Sequence, residues 1–373
     1  GSSYSGDYGR DQLRGARQRL ASRVARDHGL TLVDEWPMPM LGLDCFIMAT
    51  APGQTAAAAA ADISKDSGVA FSQPMNEFRA QSGLASADPL LPTQPAARQW
   101  RLNALHQIAT GKGVRVAVID SKIDSGHPDL AGQIVLQEDF VSAHPATAES
   151  HGTGVAGIIA ARAGNGIGIA GVAPQARLLA LRACWQSGRS GSAGTVCDSL
   201  SLAKALYFAL EHNAQVINLS LSGPQDMLLG KLLELGISRR TVVVAAYDRS
   251  QPDGGFPADV RGVVAVSDDP VSPALSGVYV APGHDIPTTQ PGGRWYLVNG
   301  SSYSAAHVSG LVALLRERRP WIGAAAAIVS DRPGGGSIDA CATLVRAYGP
   351  CDCACASPAA LAEREARGEP LTR

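Results

Sequence analysis

Beyond residue 110, short runs of β-branched and aliphatic residues alternate with longer stretches of helical character, and this alternation restricts the fold more than any other feature. Residues 114–119, 178–181, 216–219, 242–245 and 263–266 are mostly apolar rather than alternating apolar and polar. A strand with one face in water alternates, whereas runs of this kind are buried on both faces. Helical stretches such as 198–212 and 304–317 lie between them. The pattern predicts an α/β domain, a mainly parallel sheet with helices on both faces. Ligands bind such sheets beyond the carboxyl ends of the strands, so the residues just after each run are the candidates for chemistry.

The N-terminal part has a different texture. Residues 11–28 place Leu13, Ala16, Leu20 and Val24 on one helical face with arginines opposite. Strand candidates follow at 30–33 and 41–48, separated by Pro37 and Pro39, then an Ala-rich helix at 54–65 and a further strand at 69–72. This α-β-β-α-β order suggests a small α+β unit over residues 1–88. Residues 82–98 are rich in Ser, Ala and Pro, with Pro89, Pro92 and Pro95 spaced as in an extended linker. The larger domain then covers 89–349. The tail, 350–373, is mostly Ala, Glu and Arg apart from its cysteines, and is expected to be poorly ordered.

Charge narrows the partners. A formal net charge of −1 over 373 residues gives no electrostatic reason to expect nucleic acid or an anionic membrane. The longest monotonous run, residues 56–61, falls far short of the roughly 18 apolar residues that suggest a membrane span. Seven cysteines stand at 45, 184, 197, 341, 351, 353 and 355. The C-terminal four are candidates for disulfides or a metal site; the metal reading is the weaker, because there is no CxxC pair and no nearby histidine. Disulfides favour an exported protein, so a secreted or periplasmic location is expected. The chain opens Gly1-Ser2-Ser3 without an initiator Met, which reads as an expression scar and leaves room for the expectation that a targeting segment was removed. The odd count leaves a thiol over, and Cys45, in an apolar run, is the expected buried free one.

Three residues sit where chemistry is expected. Asp120 ends the run Val116-Ala117-Val118-Ile119, where a carboxylate would face the crevice. His151 opens His151-Gly152-Thr153-Gly154-Val155-Ala156-Gly157, whose glycines let a helix start close to its neighbours. Ser302 lies in a small-residue turn, Asn299-Gly300-Ser301-Ser302-Tyr303-Ser304, that feeds an apolar helix. A helix N-terminus favours negative charge developing there. A serine hydroxyl is a weak nucleophile unless a base takes its proton, and a histidine base needs a carboxylate to hold its tautomer. Each residue alone has an ordinary reading: a capping serine, a turn aspartate, a structural histidine. The conjunction, in the order Asp, His, Ser, carries the signal.

With those residues in view, the chain resembles the subtilase family. The segments Val116-Ala117-Val118-Ile119-Asp120-Ser121, His151-Gly152-Thr153-Gly154 and Gly300-Ser301-Ser302-Tyr303-Ser304-Ala305-Ala306-His307-Val308 are similar to its three signature blocks. Gly111-Lys112-Gly113-Val114, His127-Pro128-Asp129-Leu130 and Val216-Ile217-Asn218-Leu219-Ser220-Leu221 resemble flanking pieces, so the likeness covers about residues 89–347. It implies a subtilisin-like fold and a serine endopeptidase that cleaves peptides or proteins through an acyl-enzyme. Ser302 would be the nucleophile, His151 the general base and Asp120 its orienter, with His127 and His307 structural. It also implies that Ser220, Leu221, Ser222 and Gly223 border the pocket for the side chain before the scissile bond, with an edge segment within residues 190–194. Cys184 and Cys197 bracket that segment, and a disulfide tethering it is a hypothesis. Residues 1–88 resemble the family's propeptide in size and element order, which implies a zymogen inhibited by its own N-terminal domain. Family members often bind structural calcium, but no carboxylate set here is assigned to such a site, and no other cofactor is expected.

Three positions depart from the family pattern. Lys122 stands where glycine is usual, and Ala306 where proline is usual. The stretch Ala245-Ala246-Tyr247-Asp248 matches a block that normally ends in the oxyanion-hole asparagine. An ionised aspartate accepts hydrogen bonds and repels an oxyanion, so Asp248 serves that role only if protonated. A weak or inactive pseudopeptidase that binds peptides or partner proteins is therefore the alternative expectation.

Overall fold

The computed structural model describes residues 8–76, 88–142, 144–187, 194–251, 253–271, 277–323, 327–349 and 355. The chain divides into two units, Gly1–Ser82 and Gly83–Arg373.

In the first unit, helix α1 (Tyr8–Asp27) leads into an antiparallel hairpin, β1 (Thr31–Met38) and β2 (Leu43–Ala49), followed by α2 (Ala56–Ile63). Thr55 caps α2, its hydroxyl accepting from the Ala58 amide. Val24, Ala25, Leu30, Ala59 and Ile63 form a small core. Three expectations change here. Residues 69–72 form no strand, so the order is α-β-β-α. Pro37 does not separate the strands but lies within β1, opposite Asp44, as a two-stranded sheet with two free edges allows. Cys45 is free but exposed rather than buried. It pairs across the hairpin with Trp36, itself 66% exposed, on a face that this small core does not reach.

The second unit begins earlier in the chain than an extended linker would allow. Asp88 accepts from the amides of Gly164 (2.7 Å) and Asn165 (3.0 Å). The buried Gln94 exchanges two hydrogen bonds with the Ala170 backbone, and Pro95 opens α3 (Pro95–Gln99), where its missing N–H is no loss. Helix α4 (Leu102–Ile108) then delivers the chain to β3 (Arg115–Asp120), β4 (Ile134–Asp139), α5 (Ser150–Ala160) and β5 (Arg177–Arg182). A short hairpin, β6 (Cys184–Ser187) and β7 (Gly194–Cys197), precedes α6 (Ser199–Glu211), β8 (Val216–Leu219), α7 (Met227–Ser238), β9 (Val242–Ala246), β10 (Val264–Ser267) and β11 (Val278–Val280). The hairpin β12 (Ile286–Gln290) and β13 (Arg294–Val298), helix α8 (Ser301–Arg318), strands β14 (Ser330–Arg332) and β15 (Gly335–Ile338), and α9 (Ala340–Tyr348) complete it.

Among the described residues the sheet has nine strands in the order β14-β15-β11-β10-β9-β8-β3-β5-β4, of which only β14 runs antiparallel. Successive strand residues feed opposite faces. Val116, Val118, Leu178, Ala180, Val242 and Val244 join one core with Val155 and Ile159 of α5 and Val308 and Leu311 of α8. Ala117, Ile119, Leu179, Leu181, Val243 and Ala245 join the other with Leu202 and Leu206 of α6 and Leu229 and Leu233 of α7. Because both faces are covered, the strands read as near-continuous apolar runs. Each fully buried Val, Leu or Ile contributes about 1.5–3 kcal/mol. Cys341 of α9 is bonded to Cys355, which is buried; Cys351, Cys353 and the rest of the tail lie outside the described residues. Among the described residues no helix is long and apolar enough to cross a membrane.

In the first unit, His28 joins the end of α1 to α2 and the turn after it, with Nδ1 2.9 Å from Asp62 and Nε2 2.8 Å from Asp66. The hydrogen bonds to Asp66 and then Asp62 raise its pKa. A raised folded value means that this stabilisation is complete below the ordinary histidine value and is lost as pH rises through the folded one. Replacement of His28 by Gln should therefore lower hydrogen-exchange protection around α1 and α2 of the intact chain more at about pH 5.5 than at about pH 9. Equal losses at both would refute the assignment.

Candidate active site

Asp120 is the last residue of β3, and its side chain is 2% exposed. Its Oδ1 accepts from the Ser121 amide (2.6 Å), and both carboxylate oxygens face His151 Nδ1, at 2.8 and 2.9 Å. This approach depends on glycine. A Cβ on Gly152 would lie 2.3 Å from the Ser121 carbonyl oxygen, and one on Gly157 would lie 2.2 Å from Thr289 Oγ1. A side chain at Gly152 would lift α5, and His151 with it, away from the end of β3, whereas one at Gly157 would push the helix off Thr289 of β12. Thr288 and Thr289 hold the helix on its other side, donating to the carbonyls of Gly154 (2.6 Å) and Thr153 (2.7 Å).

With Nδ1 donating to a carboxylate, His151 keeps Nε2 as its accepting nitrogen. Burial pulls its pKa down, but the charge and hydrogen bond of Asp120 outweigh burial and leave it above the ordinary value. Tyr303 lies beside the imidazole, ring centroids 5.6 Å apart, and burial with the Asp120 charge pushes its phenol up to about 12. It is a neutral wall.

Ser302 is the second residue of α8, after Gly300 at φ 129°, a conformation that favours glycine. First-turn N–H groups have no acceptor within their helix, so those of Ser301 and Ser302 are available to an anion. The Ser302 hydroxyl donates to the Ser220 carbonyl (3.1 Å), and Ser220 Oγ donates back to the Ser302 carbonyl (2.7 Å). Buried Asn218 donates to Ser220 Oγ and accepts from Ser309, so the sheet grips α8 at the nucleophile candidate. Asp120, His151 and Ser302 line one cavity of about 470 Å³. Among the described residues no hydrogen bond joins Ser302 to His151; the hydroxyl must turn from Ser220 to reach Nε2, a rearrangement common before substrate arrives.

Ser220, Leu221, Ser222 and Gly223 line the same cavity, facing Cys184, Thr195, Val196 and Cys197 of the β6–β7 hairpin. Cys184 and Cys197 are cross-strand partners joined by a disulfide. Of the expected edge segment, Gly194 begins β7 and the remainder lies outside the described residues. Asp248 lines an adjoining recess of about 330 Å³ with Ser222, Gly300 and Ser302. Its Oδ1 accepts from Ser250 Oγ (2.6 Å) and the Ser250 amide (2.9 Å). The Ser250 hydroxyl, opposed by partial burial, holds this carboxyl below its usual range. That is the reverse of what a protonated donor requires.

The other histidines in the resembling segments are occupied. His127 is fully buried, its Nε2 donating to the Arg294 carbonyl and its Nδ1 accepting from the Asp129 amide. His307 accepts burial at the cost of basicity, pushed down to about 4, and its Nδ1 donates to the Tyr303 carbonyl. Among the described residues one group has metal-ligand proximity, Asp268, Asp269 and His284. Calcium takes six to eight oxygens, and here Arg249 stands 3.6 Å from Asp268 and 3.1 Å from Asp269, so the set does not fit that ion. Asn218 was not singled out from the sequence, although a polar residue within an apolar run is a signal that could have found it. Glu149 and Arg182, which pack behind Asp120, carried no such signal.

Residues 111–331 match the Subtilase family. The chain belongs to that family. Two relatives are a thermophilic serine proteinase from a Bacillus species, 40% identical over 54% of this chain and 52% of its own length, and subtilisin E from Bacillus subtilis, 36% identical over 60% of each. This subtilase thus spans about half to three fifths of the length of those relatives. Among solved structures, a protease from Pseudoalteromonas arctica superposes with a TM-score of 0.60 at 23% identity, covering 71% of this chain and all of the other. That likeness concerns the fold.

The disulfide across the hairpin gives a test. Replacing both Cys184 and Cys197 by Ser should lower the stability of the subtilase by about 2–3 kcal/mol in denaturant unfolding. An unchanged unfolding midpoint would contradict this.

Proposed function

We propose that this subtilase is a serine endopeptidase that hydrolyses peptide bonds through an acyl-enzyme on Ser302. The observation that carries the proposal is the short two-oxygen contact of Asp120 with His151 Nδ1 in the cavity that Ser302 also lines. In this reading His151 Nε2 takes the Ser302 proton as Oγ attacks the peptide carbonyl, then returns it to the leaving amine. Water repeats the sequence on the ester. Asp120 fixes the tautomer and stabilises the imidazolium. The Ser302 N–H, at the positive end of α8, serves the developing oxyanion. An extended peptide lies between residues 220–223 and the β6–β7 hairpin, with backbone pairing giving affinity and little sequence preference. Its base form is available only above the raised pKa of His151, so the acid limb of activity lies above the ordinary histidine value of 6.5.

The first unit is assigned as a propeptide that inhibits the same site in a zymogen, and the disulfides support a secreted or periplasmic setting. One observation favours a second reading. An ionised Asp248 beside Ser302 opposes oxyanion formation, as in a pseudopeptidase that binds peptides without turning them over. A fluorophosphonate probe separates the two after residues 1–82 are removed. The endopeptidase reading predicts labelling at Ser302 that falls at least about 10³-fold in the H151A variant. Folded protein that takes no label would favour the pseudopeptidase.

A further inference from the structure

Two residues before His151 stands a buried carboxylate that the mechanism above does not use. The Glu149 side chain is 9% exposed, and among the described residues its Oε2 has no hydrogen-bond partner. An acid with an unmatched buried oxygen is unfavourable where an apolar residue would fit. Its counter-charge is Arg182, 2% exposed, the last residue of β5 and directly beside Asp120 in the β3–β5 register. Arg182 Nη1 bonds Asp139 Oδ2 (2.9 Å) and donates to the His144 carbonyl (3.3 Å). Its Nη2 donates to the Pro145 carbonyl (2.8 Å) and stands 3.9 Å from Glu149 Oε1. The Glu149 amide donates to the Lys122 carbonyl (2.7 Å), two residues after Asp120. The loop from β4 to α5 is thus hung from one guanidinium, and the helix carrying His151 starts where Glu149 is fixed.

We infer that Glu149 is a positioning residue for the proposed hydrolysis, holding the start of α5 through Arg182 and adding a second negative charge that acts on His151 beside that of Asp120. The inference rests on the reading of His151 as general base. The charge balance supports it. Arg182 from β5 is one cation shared between Asp139 of β4 and Glu149, leaving one negative charge over, close enough to Asp120 of β3, the partner of His151, for the two carboxylates to interact. His144 offers Arg182 its carbonyl while its ring stacks on Trp185, and Lys122 offers Glu149 its carbonyl. Burial raises the Glu149 pKa, opposed by the Gln186 amide, Arg182 and Ser121. Its charge is accordingly lost at a higher pH than that of an ordinary glutamate as the solution is acidified, and its hold on the imidazolium goes with it.

The test is the titration of His151, followed by NMR in the full chain carrying S302A to prevent self-cleavage. The E149Q substitution should lower the His151 midpoint by roughly half a pH unit, about threefold in proton affinity, and E149D should restore most of it. With Ser302 present, the acid limb of kcat/KM should move by the same amount at constant KM. An unchanged His151 midpoint with kcat/KM reduced equally at every pH would overturn the inference in favour of a purely structural role. The NMR result stands even if no peptide is hydrolysed, so failure of the endopeptidase reading and failure of this one are distinguishable. Should E149Q not fold, the unmodified residue 149 serves: the Glu149 carboxyl and His151 imidazole shifts must each respond at the other's midpoint, and independent titrations would overturn the proposal.

Discussion

The contact between Asp120 and His151 depends on how closely α5 can lie against the end of β3. Backbone meets backbone at Gly152, where a single methyl group would collide with the Ser121 carbonyl, and on the helix's other side a methyl group at Gly157 would collide with Thr289. The rest of the unit is arranged around keeping that approach. Thr288 and Thr289 hold the far side of the helix, Arg182 and Lys122 hold the loop that leads into it, and the parallel sheet sets Asp120 beside Arg182. Ser302 reaches the same cavity by a separate route, through α8 and the Asn218–Ser220 hydrogen bonds. Two independent anchors therefore converge on one space.

Much of this was legible in the chain because burial on both faces writes itself into composition. The mostly apolar runs at 216–219 and 242–245 predict β8 and β9 to within a residue, since a polar side chain between two helix layers needs its own partners, as Asn218 has in Ser220 and Ser309. The first unit was harder. Its small core leaves one face of the hairpin in water, so the apolar character around Cys45 did not signal burial, and Pro37 could sit inside a strand because that sheet has two edges. Residues 88–98 misled for another reason. Proline spacing suggests an extended linker, but the fold of this segment is decided by partners some 76 residues away, Gly164 and Ala170, which local sequence does not reveal.

At the site, residue type and order announced Asp120, His151 and Ser302, whereas the charges around them did not. Asp248 was legible as a departure, but whether it is protonated depends on Ser250, two residues on, which supplies the donors that keep it ionised. Glu149 and Arg182 look like ordinary surface charges in the chain and become significant only when the sheet register buries them behind Asp120. The site is therefore flanked by acid on two sides. In the proposed mechanism Asp248 would oppose charge forming at the oxyanion and Glu149 would favour charge forming on the imidazole, so the pH and rate assigned to His151 there depend on the balance between them.

The central claim is that Ser302, His151 and the N-terminus of α8 act on one tetrahedral centre. The most direct measurement is a crystal structure of the chain, freed of residues 1–82, after reaction with a fluorophosphonate. The account predicts phosphorus bonded to Ser302 Oγ, a phosphoryl oxygen within about 3.1 Å of the Ser302 N–H and turned away from Asp248, and His151 still bound to Asp120. An adduct whose phosphoryl oxygen avoids the helix N-terminus, or a folded protein with Ser302 unmodified, would contradict it.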